Sequence, residues 1–359
     1  MTKQIDKVAA ELNKQLGSVQ VVRAKDAFGL GYRRISTRIL GLDIVCGANS
    51  PSEWGIPTGR VTEFWGMESS GKTTVALNCI VSAQEKGFCG AFVSLENAWD
   101  NKWARRIGID TQRLLVARVS SSEDAESVIY TLAQTPGVGV IVVDSVAMLT
   151  SMSELNTDTR EKNVQPGTQA KAVNRIMRHI SAGFNAWPID DIKSVDQQPA
   201  IILLNQVREK IGAYGDPQYS PGGKGKDHQC SVRIRMSRGE VHHSKKSDKK
   251  SPVYAVTLKA MSVKNKTWPQ HQTVEYMLYI RDAKRGDKEY QMGTIDEVDQ
   301  LLWLGRRYGL VEQRGSIFEY DQITGKGAND FCNQLADFDA GQEQLQADIL
   351  EAAWNQKGL

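Results

Sequence analysis

The chain has 359 residues, a hydrophobic share of 40% and a formal net charge of +3 at pH 7, which suits one large core with a smaller companion and excludes a disordered polymer. Its longest apolar runs, 138–143 and 200–204, fall far short of the ~20 residues of a membrane span, and the start shows no basic segment leading into an apolar stretch and cleavage site. A cytoplasmic protein with no membrane contact is therefore expected. Its five cysteines (Cys46, Cys79, Cys89, Cys230, Cys332) form no CxxC pair, so free thiols are expected.

The first element is an amphipathic helix, with Ile5, Val8, Leu12 and Leu16 at helical spacing and Gly17 closing it. A stretch to Tyr32 reads as a linker that lets this helix pack outside its own domain. Buried strands then alternate with amphipathic stretches: 61–65, 91–95, 114–118, 138–143 and 200–204. That order predicts a mainly parallel sheet covered on both faces. After Gly222 the pattern changes to alternating apolar and polar residues over 231–236, 253–261 and 274–280, predicting antiparallel strands that extend the sheet. The link 242–252 between the first two, which opens with His242 and His243, reads as a solvated hairpin tip. Cationic residues crowd the interval from Arg208 to Lys266, including Lys224, Lys226, Arg233, Arg235, Arg238, Lys259 and Lys264. Beyond Tyr290, the residues Ile295, Val298, Leu301, Leu302 and Leu304, and a helix over 342–355, predict a small C-terminal domain, helical or α/β. The fold class is α/β. Its units are an N-terminal helix and linker over 1–34, an ATPase core over 35–285 and the small domain over 286–359.

The strand ending at Trp65 runs into Gly66, Met67, Glu68, Ser69, Ser70, Gly71, Lys72, Thr73 and Thr74, followed by an apolar helical run. This is GxxxxGK[ST] in its required setting of strand, loop and helix. Glycines let backbone amides curl around an anion, and the helix N-terminus adds partial positive charge. Lys72 is expected to reach the β- and γ-phosphates of ATP, and the Thr73 hydroxyl to ligate Mg²⁺. Asp144 ends the strand 138–143. A strand-ending aspartate is commonplace, but beside Lys72 it is expected to orient the Mg²⁺. Glu96, at the tip of the strand 91–95, is placed to orient or deprotonate an attacking water; its alternative is a helix-start carboxylate.

Four segments carry a more specific likeness. Glu68 to Thr74, Val142 to Ala147, Asn205 to Gly212 and Val263 to Lys266 resemble, in order and near the expected spacing, segments of the RecA recombinase family, and the likeness spans roughly Ile35 to the C-terminus. It implies a RecA-like core and an ATP-dependent, Mg²⁺-requiring strand-exchange enzyme. Such an enzyme forms a helical filament of its own copies on single-stranded DNA and pairs it with homologous double-stranded DNA, with loader or single-strand-binding proteins as further partners. Under this resemblance Glu96 is the catalytic carboxylate, and Asp100 and Trp103 contact adenine, with Trp103 stacking on the base. Gln206 senses the γ-phosphate. Lys264 and Lys266 reach the ATP held by the neighbouring subunit.

Two polar segments, about 155–168 and 207–223, resemble the family's DNA-binding loops. Cations on phosphates, amides at glycines and apolar or aromatic groups against bases hold single strands in this way. Lys171, Arg208, Lys210, Gly222, Gly223 and Lys224 are the expected contacts, with Ile211 as a wedge between bases and Tyr214 at the loop tip. Arg238 and Lys259 are assigned to the incoming duplex. The chain departs from the family in a longer first loop, an insertion over 187–193, and Lys226, Asp227, His228 and Gln229 where an aromatic relay residue is usual. It also lacks an acidic tail. These departures fit a phage or plasmid member, whose place of action is then the host cytoplasm. The alternatives are a helicase or recombination mediator on the same core, a small-molecule kinase, and a silent DNA-binding paralogue.

Overall fold

The computed structural model of the protein describes residues 2–17, 20–27, 32–96, 99–149, 167–188, 190–191, 193–209, 218–244, 250–285 and 288–356. Its centre is an eight-stranded sheet. In chain order the strands are β1 (Val61–Gly66), β2 (Cys89–Ser94), β3 (Leu114–Arg118), β4 (Val138–Asp144), β5 (Ala200–Gln206), β6 (Val232–His243), β7 (Val253–Asn265) and β8 (Thr273–Tyr279). In space they lie in the order β8-β7-β6-β1-β5-β4-β2-β3. The run from β6 to β3 is parallel, and β7 and β8 join antiparallel at one side.

Strand periodicity explains the two layers. Along β4, Val140 and Val142 point to one face and pack with Phe64, Phe92, Ile202 and Leu204 against Val75, Ala76 and Ile80 of the helix α3 (Lys72–Glu85). Ile141 and Val143 point to the other face, where they meet Ile201 and Leu203 with Ile129 of α5 (Ser122–Ala133) and Ile176 and Ile180 of α6 (Thr168–Asn185). The helices α1 (Thr2–Leu16) and α2 (Leu40–Cys46) precede α3 in the chain, and α4 (Asn101–Ile107) lies between α3 and α5. Each such side chain taken from water contributes roughly 1.5–3 kcal/mol, so the near-continuous apolar strands are what a sheet covered on both sides requires.

The helix predicted at the start is α1, and its Ile5, Val8 and Leu16 remain 56%, 52% and 52% exposed. Arg23 pairs with Asp6 and folds the following segment back along it. The short helix α7 (Lys193–Gln197) begins at the last residue of the stretch 187–193, whose Trp187 is buried and donates its ring N–H to Ala133 O at 2.9 Å. One expectation is corrected: His242 and His243 do not lie in a solvated tip. β6 continues through both, with His242 opposite Ala255 and its Nε2 2.7 Å from Thr257 Oγ1. Past a bulge after Arg238 the antiparallel ladder resumes at Val241, opposite Val256, which extends the strand beyond its apolar stretch.

After α8 (Gly223–Gln229), the remaining helices are α9 (Glu297–Arg307), α10 (Ala328–Ala336) and α11 (Asp339–Asn355). They pack with a three-stranded antiparallel sheet of β9 (Glu312–Arg314), β10 (Ile317–Tyr320) and β11 (Ile323–Lys326). These three strands are only three or four residues long, so the sequence pattern shows no clear period there. Leu301, Phe331, Leu345 and Ile349 share a buried cluster with Ile44, Trp54 and Trp268 from the larger part of the chain.

Candidate nucleotide site

Parallel pairing brings the carboxyl ends of β1, β5, β4 and β2 to one edge: Gly66 lies opposite Gln206, and Ser94 opposite Asp144. That edge is where open α/β sheets bind ligands. The loop from Gly66 to Gly71 opens there and α3 starts at Lys72. Gly71 has φ 84°, so its turn favours glycine, and a Cβ on Gly66 would lie 2.0 Å from Met236 O, so the packing there requires it. The N–H groups of the first turn of α3 have no partners within the helix and point into the loop's concavity.

Lys72 turns into that concavity, its Nζ donating to Met67 O at 2.7 Å and Gly66 O at 3.1 Å. Burial pulls its ammonium below the ordinary lysine range, against the attraction of Asp144, Glu96 and Glu68. Thr73 Oγ1 donates to Asp144 Oδ2 at 3.4 Å. Burial, reinforced by repulsion from Glu96, pushes the Asp144 carboxyl up to about 6. A hydroxyl and a carboxylate side by side form an oxygen donor set of the kind Mg²⁺ takes. Thr73 and Asp144 therefore fit that ion. Glu96 Oε1 accepts from Ser145 Oγ and, at 3.2 Å, from Gln206 Nε2.

These groups border one cleft of 830 Å³, lined by residues 66–74 with Glu96, Asp144, Ser145 and Gln206. Trp103, Ile280 and Met292 form an apolar end. The indole of Trp103 stands close to Gly293, where a Cβ would lie 2.7 Å from its Cη2. Asp100 is not among the lining residues. Its carboxylate caps α4, accepting from the N–H groups of Lys102 at 2.7 Å and Trp103 at 3.2 Å, which fixes the helix that carries the indole. Ser145, Tyr279, Met292 and Arg238 also line the cleft, and sequence reasoning did not place them there. Arg238 carried a usable signal. It lies two residues beyond Met236, which pairs with Gly66, so strand alternation puts it on the same face as Met236.

Lys264 and Lys266 are not brought to this cleft. Asn265 pairs with Val232, and Val232 with Thr62, whereas the phosphate loop leaves the sheet at Gly66. Thr62 and Gly66 lie roughly 13 Å apart along the strand. Both lysines instead cap the C-terminal end of α8: Lys264 Nζ donates to Asp227 O and, at 2.9 Å, to His228 O, while Lys266 Nζ donates to His228 O at 2.9 Å. Cations at a helix C-terminus are favourably placed.

Of the residues expected at DNA, Arg208 is exposed and pairs with Tyr219 in a two-residue ladder that closes the stem of the second loop. Gly222 and Gly223 hold positive φ, 107° and 82°, at the start of α8. The stems of the two loops meet, since α6 packs on α8 so closely that a Cβ on Gly225 would lie 2.1 Å from Asn174 Oδ1. This contact brings Lys171 on α6 and Lys224 on α8, both exposed, to neighbouring elements. Lys210, Ile211, Tyr214 and most of the first loop lie outside the described residues. Lys259 is on β7, 3.1 Å from Glu275. Among the described residues no helix is long and apolar enough to cross a membrane, and no group of three His, Cys, Asp or Glu side chains could hold a metal ion.

The family model of the RecA N-terminal domain matches residues 3–283. Protein RecA of Thermus aquaticus is 33% identical over 354 residues, covering 98% of this chain and 94% of that protein. Protein RecA of Methylobacterium sp. (strain 4-46) is 32% identical over 339 residues, 94% of this chain and 84% of that protein. Protein RecA of Rhodopseudomonas palustris is 33% identical over 329 residues, with coverages of 91% and 85%.

Proposed function

The chain belongs to the RecA family of DNA-dependent ATPases that serve DNA recombination and repair, and we propose that it is a strand-exchange recombinase that works as a filament on single-stranded DNA in the cytoplasm. In this reading Lys72 and the amides at the start of α3 hold the β- and γ-phosphates, while Trp103 stacks on the base. Mg²⁺, held by Thr73 and through Asp144, would supply charge neutralisation on the phosphates. Glu96 orients the attacking water and accepts its proton, and Gln206 at the end of β5 reports the terminal phosphate to the second loop. Arg208, Lys171, Lys224 and the glycines at 222 and 223, with Lys210, Ile211 and Tyr214, hold a single strand.

The observation that carries the reading is the separation of Lys264 and Lys266 from the chain's own phosphate loop. Lys72 and Arg238 line the cleft from its own chain, and further cations in trans would neutralise the charge that builds on the leaving phosphate. The two lysines, held at the end of α8 and away from their own phosphate loop, would serve a neighbouring copy stacked along the filament. A cation supplied in trans to a phosphoryl transfer is worth ~10³-fold or more in rate, so assembly then controls hydrolysis. The exposure of Ile5, Val8 and Leu16 on α1 supports the same packing of copies.

The test follows strand exchange between a circular single strand and its homologous linear duplex, with ATP hydrolysis read in the same reaction. The expected result is joint molecules that need both ATP and homology, together with hydrolysis stimulated by single-stranded DNA. Stimulated hydrolysis without joint molecules would move the protein to a helicase or a mediator.

A further inference from the structure

Beneath the second loop lies a buried charge network that the ATPase chemistry does not use. The side chains of Glu63 on β1 and Lys226 on α8 are both 0% exposed, and Lys226 Nζ donates to Glu63 Oε1. Arg233 Nε donates to Glu63 Oε2 at 2.7 Å. Asp227 Oδ1 lies 3.0 Å from Lys226 Nζ and 2.9 Å from Arg233 Nη2. Two cations thus balance two carboxylates. Burial opposes the charge on Glu63, but Lys226 and Arg233 overcome it and hold the carboxyl below the usual carboxylate range. A buried ion pair is weak as a source of stability, because apolar residues of the same volume commonly do as well. What it does supply is directionality, since it is satisfied in only one arrangement of the elements that carry it.

Those elements are the ones that need fixed relative positions. Asn205 Nδ2 is 2.9 Å from Glu63 Oε1, 2.8 Å from Ser220 Oγ and 2.8 Å from Pro221 O. Ser220 Oγ also donates to Glu63 Oε1. Asn205 Oδ1 accepts the backbone N–H of Gln206 at 3.0 Å, and the Gln206 side chain in turn donates to Glu96. The loop departs after Gln206 and returns at Ser220 and Pro221, so one carboxylate, on the strand that ends in the phosphate loop, ties both of its stems.

We infer that the Lys226–Glu63 pair is a clamp that locks both stems of the second loop to the phosphate-loop strand, making Lys226 a positioning residue through which DNA binding stimulates hydrolysis. The inference rests on the functional reading above. Among the described residues Lys226 Nζ meets Glu63, Ser220 and Asp227 and does not line the cleft, and it acts through Glu63, Asn205 and the backbone of Gln206. With the clamp intact, a displacement of the loop stems carries Gln206 with them, and hence the group hydrogen-bonded to Glu96. Without it the stems shift independently of the cleft.

The experiment compares wild type with the double variant Glu63→Gln/Lys226→Met, which removes one charge of each sign and leaves Arg233 paired with Asp227. A second variant, Ser220→Ala, keeps all the charges and removes the hydroxyl that donates to Glu63 and accepts from Asn205 and Lys226. Hydrolysis is measured without DNA and across a titration with an oligo-dT strand, alongside thermal melting and nucleotide affinity. The expected result for the double variant is an intact melting transition, unchanged nucleotide affinity and DNA-free hydrolysis, and a stimulation factor lower by roughly tenfold. Ser220→Ala is expected to lower stimulation in the same direction, by about threefold. Wild-type stimulation in both variants, or in Ser220→Ala alone should the double variant not fold, overturns the clamp. So does a parallel fall in nucleotide affinity and DNA-free hydrolysis, which marks a general structural role. A wild-type protein that DNA does not stimulate overturns the functional reading itself, and the clamp with it.

Discussion

Gln206 Nε2 donates to Glu96 Oε1 at 3.2 Å, joining the residue from which the second loop departs to the carboxylate expected to act on water. The pair lies at the ends of β5 and β2, two strands that are not neighbours in the sheet, because β4 lies between them. Glu96→Gln keeps the shape of this contact and removes the base. Its hydrolysis rate should fall by ~10²–10⁴-fold with nucleotide affinity retained, as read by single-turnover hydrolysis beside equilibrium binding of a fluorescent ATP analogue. An unchanged rate would return Glu96 to a mere helix-start carboxylate.

Lys72→Ala and Arg208→Ala should separate the two halves of the machine. Lys72 sits inside the phosphate loop, whereas Arg208 is exposed on the loop stem. The first variant should lose ATP-driven assembly and nucleotide affinity together. The second should keep nucleotide affinity and lose single-strand affinity, with a shallower salt dependence by about one phosphate contact. Equal loss of nucleotide affinity in both would contradict the separation.

A mixing experiment tests the shared active site. Lys72→Ala copies have an impaired phosphate loop and intact trans lysines; Lys264→Ala/Lys266→Ala copies have the reverse. Each alone should be nearly inactive. Mixed in equal amounts they should recover hydrolysis at about a quarter of the interfaces, the share in which the intact halves meet head to tail. No recovery in mixtures shown to co-assemble would place the lysines in a purely structural role at α8.

Asp43 gives a pH signature independent of function. It is buried on α2, where Thr37 donates to it from both N and Oγ1 at 2.6 Å. Burial pushes its carboxyl up to about 6, against the hydrogen bonds of Ser36 and Thr37. The folded state therefore holds this proton more tightly than the unfolded chain, whose value is ~3.9. Its contribution to stability is complete below the unfolded value and is lost as pH rises through about 6. The melting temperature of wild type relative to Asp43→Asn should fall by a few degrees between about pH 4 and about pH 6.5 and then level off. A flat difference across that range would show that Asp43 ionises normally.

Much of the site was legible because its parts are local. The phosphate loop is one contiguous run from Gly66 to Thr74, and Asp144 and Glu96 each end an apolar strand, so pattern alone pointed to them. Asp100 was also visible, but only the structure assigns its carboxylate to the backbone of α4. Ser145 and Arg238 were overlooked at the cleft because their place there follows from which strands pair: Met236 with Gly66, and Ser94 with Asp144. The role of Glu63 could not be read locally, because its partners Lys226 and Arg233 lie more than 160 residues away in sequence.

The amino-acid sequence by itself determined the alternation of strand and helix, the apolar faces, and the chemistry of the phosphate loop, because each depends on side chains within a few residues of one another. Only the tertiary structure decided the order of strands in the sheet, and with it three pairings across long stretches of chain: Gln206 with Glu96, Lys226 with Glu63, and Lys264 and Lys266 with the end of α8. The physical reason is that register and burial are set by which strand lies beside which. A charge becomes a cleft group, a buried clamp or a helix cap according to that placement, and local composition carries no record of it.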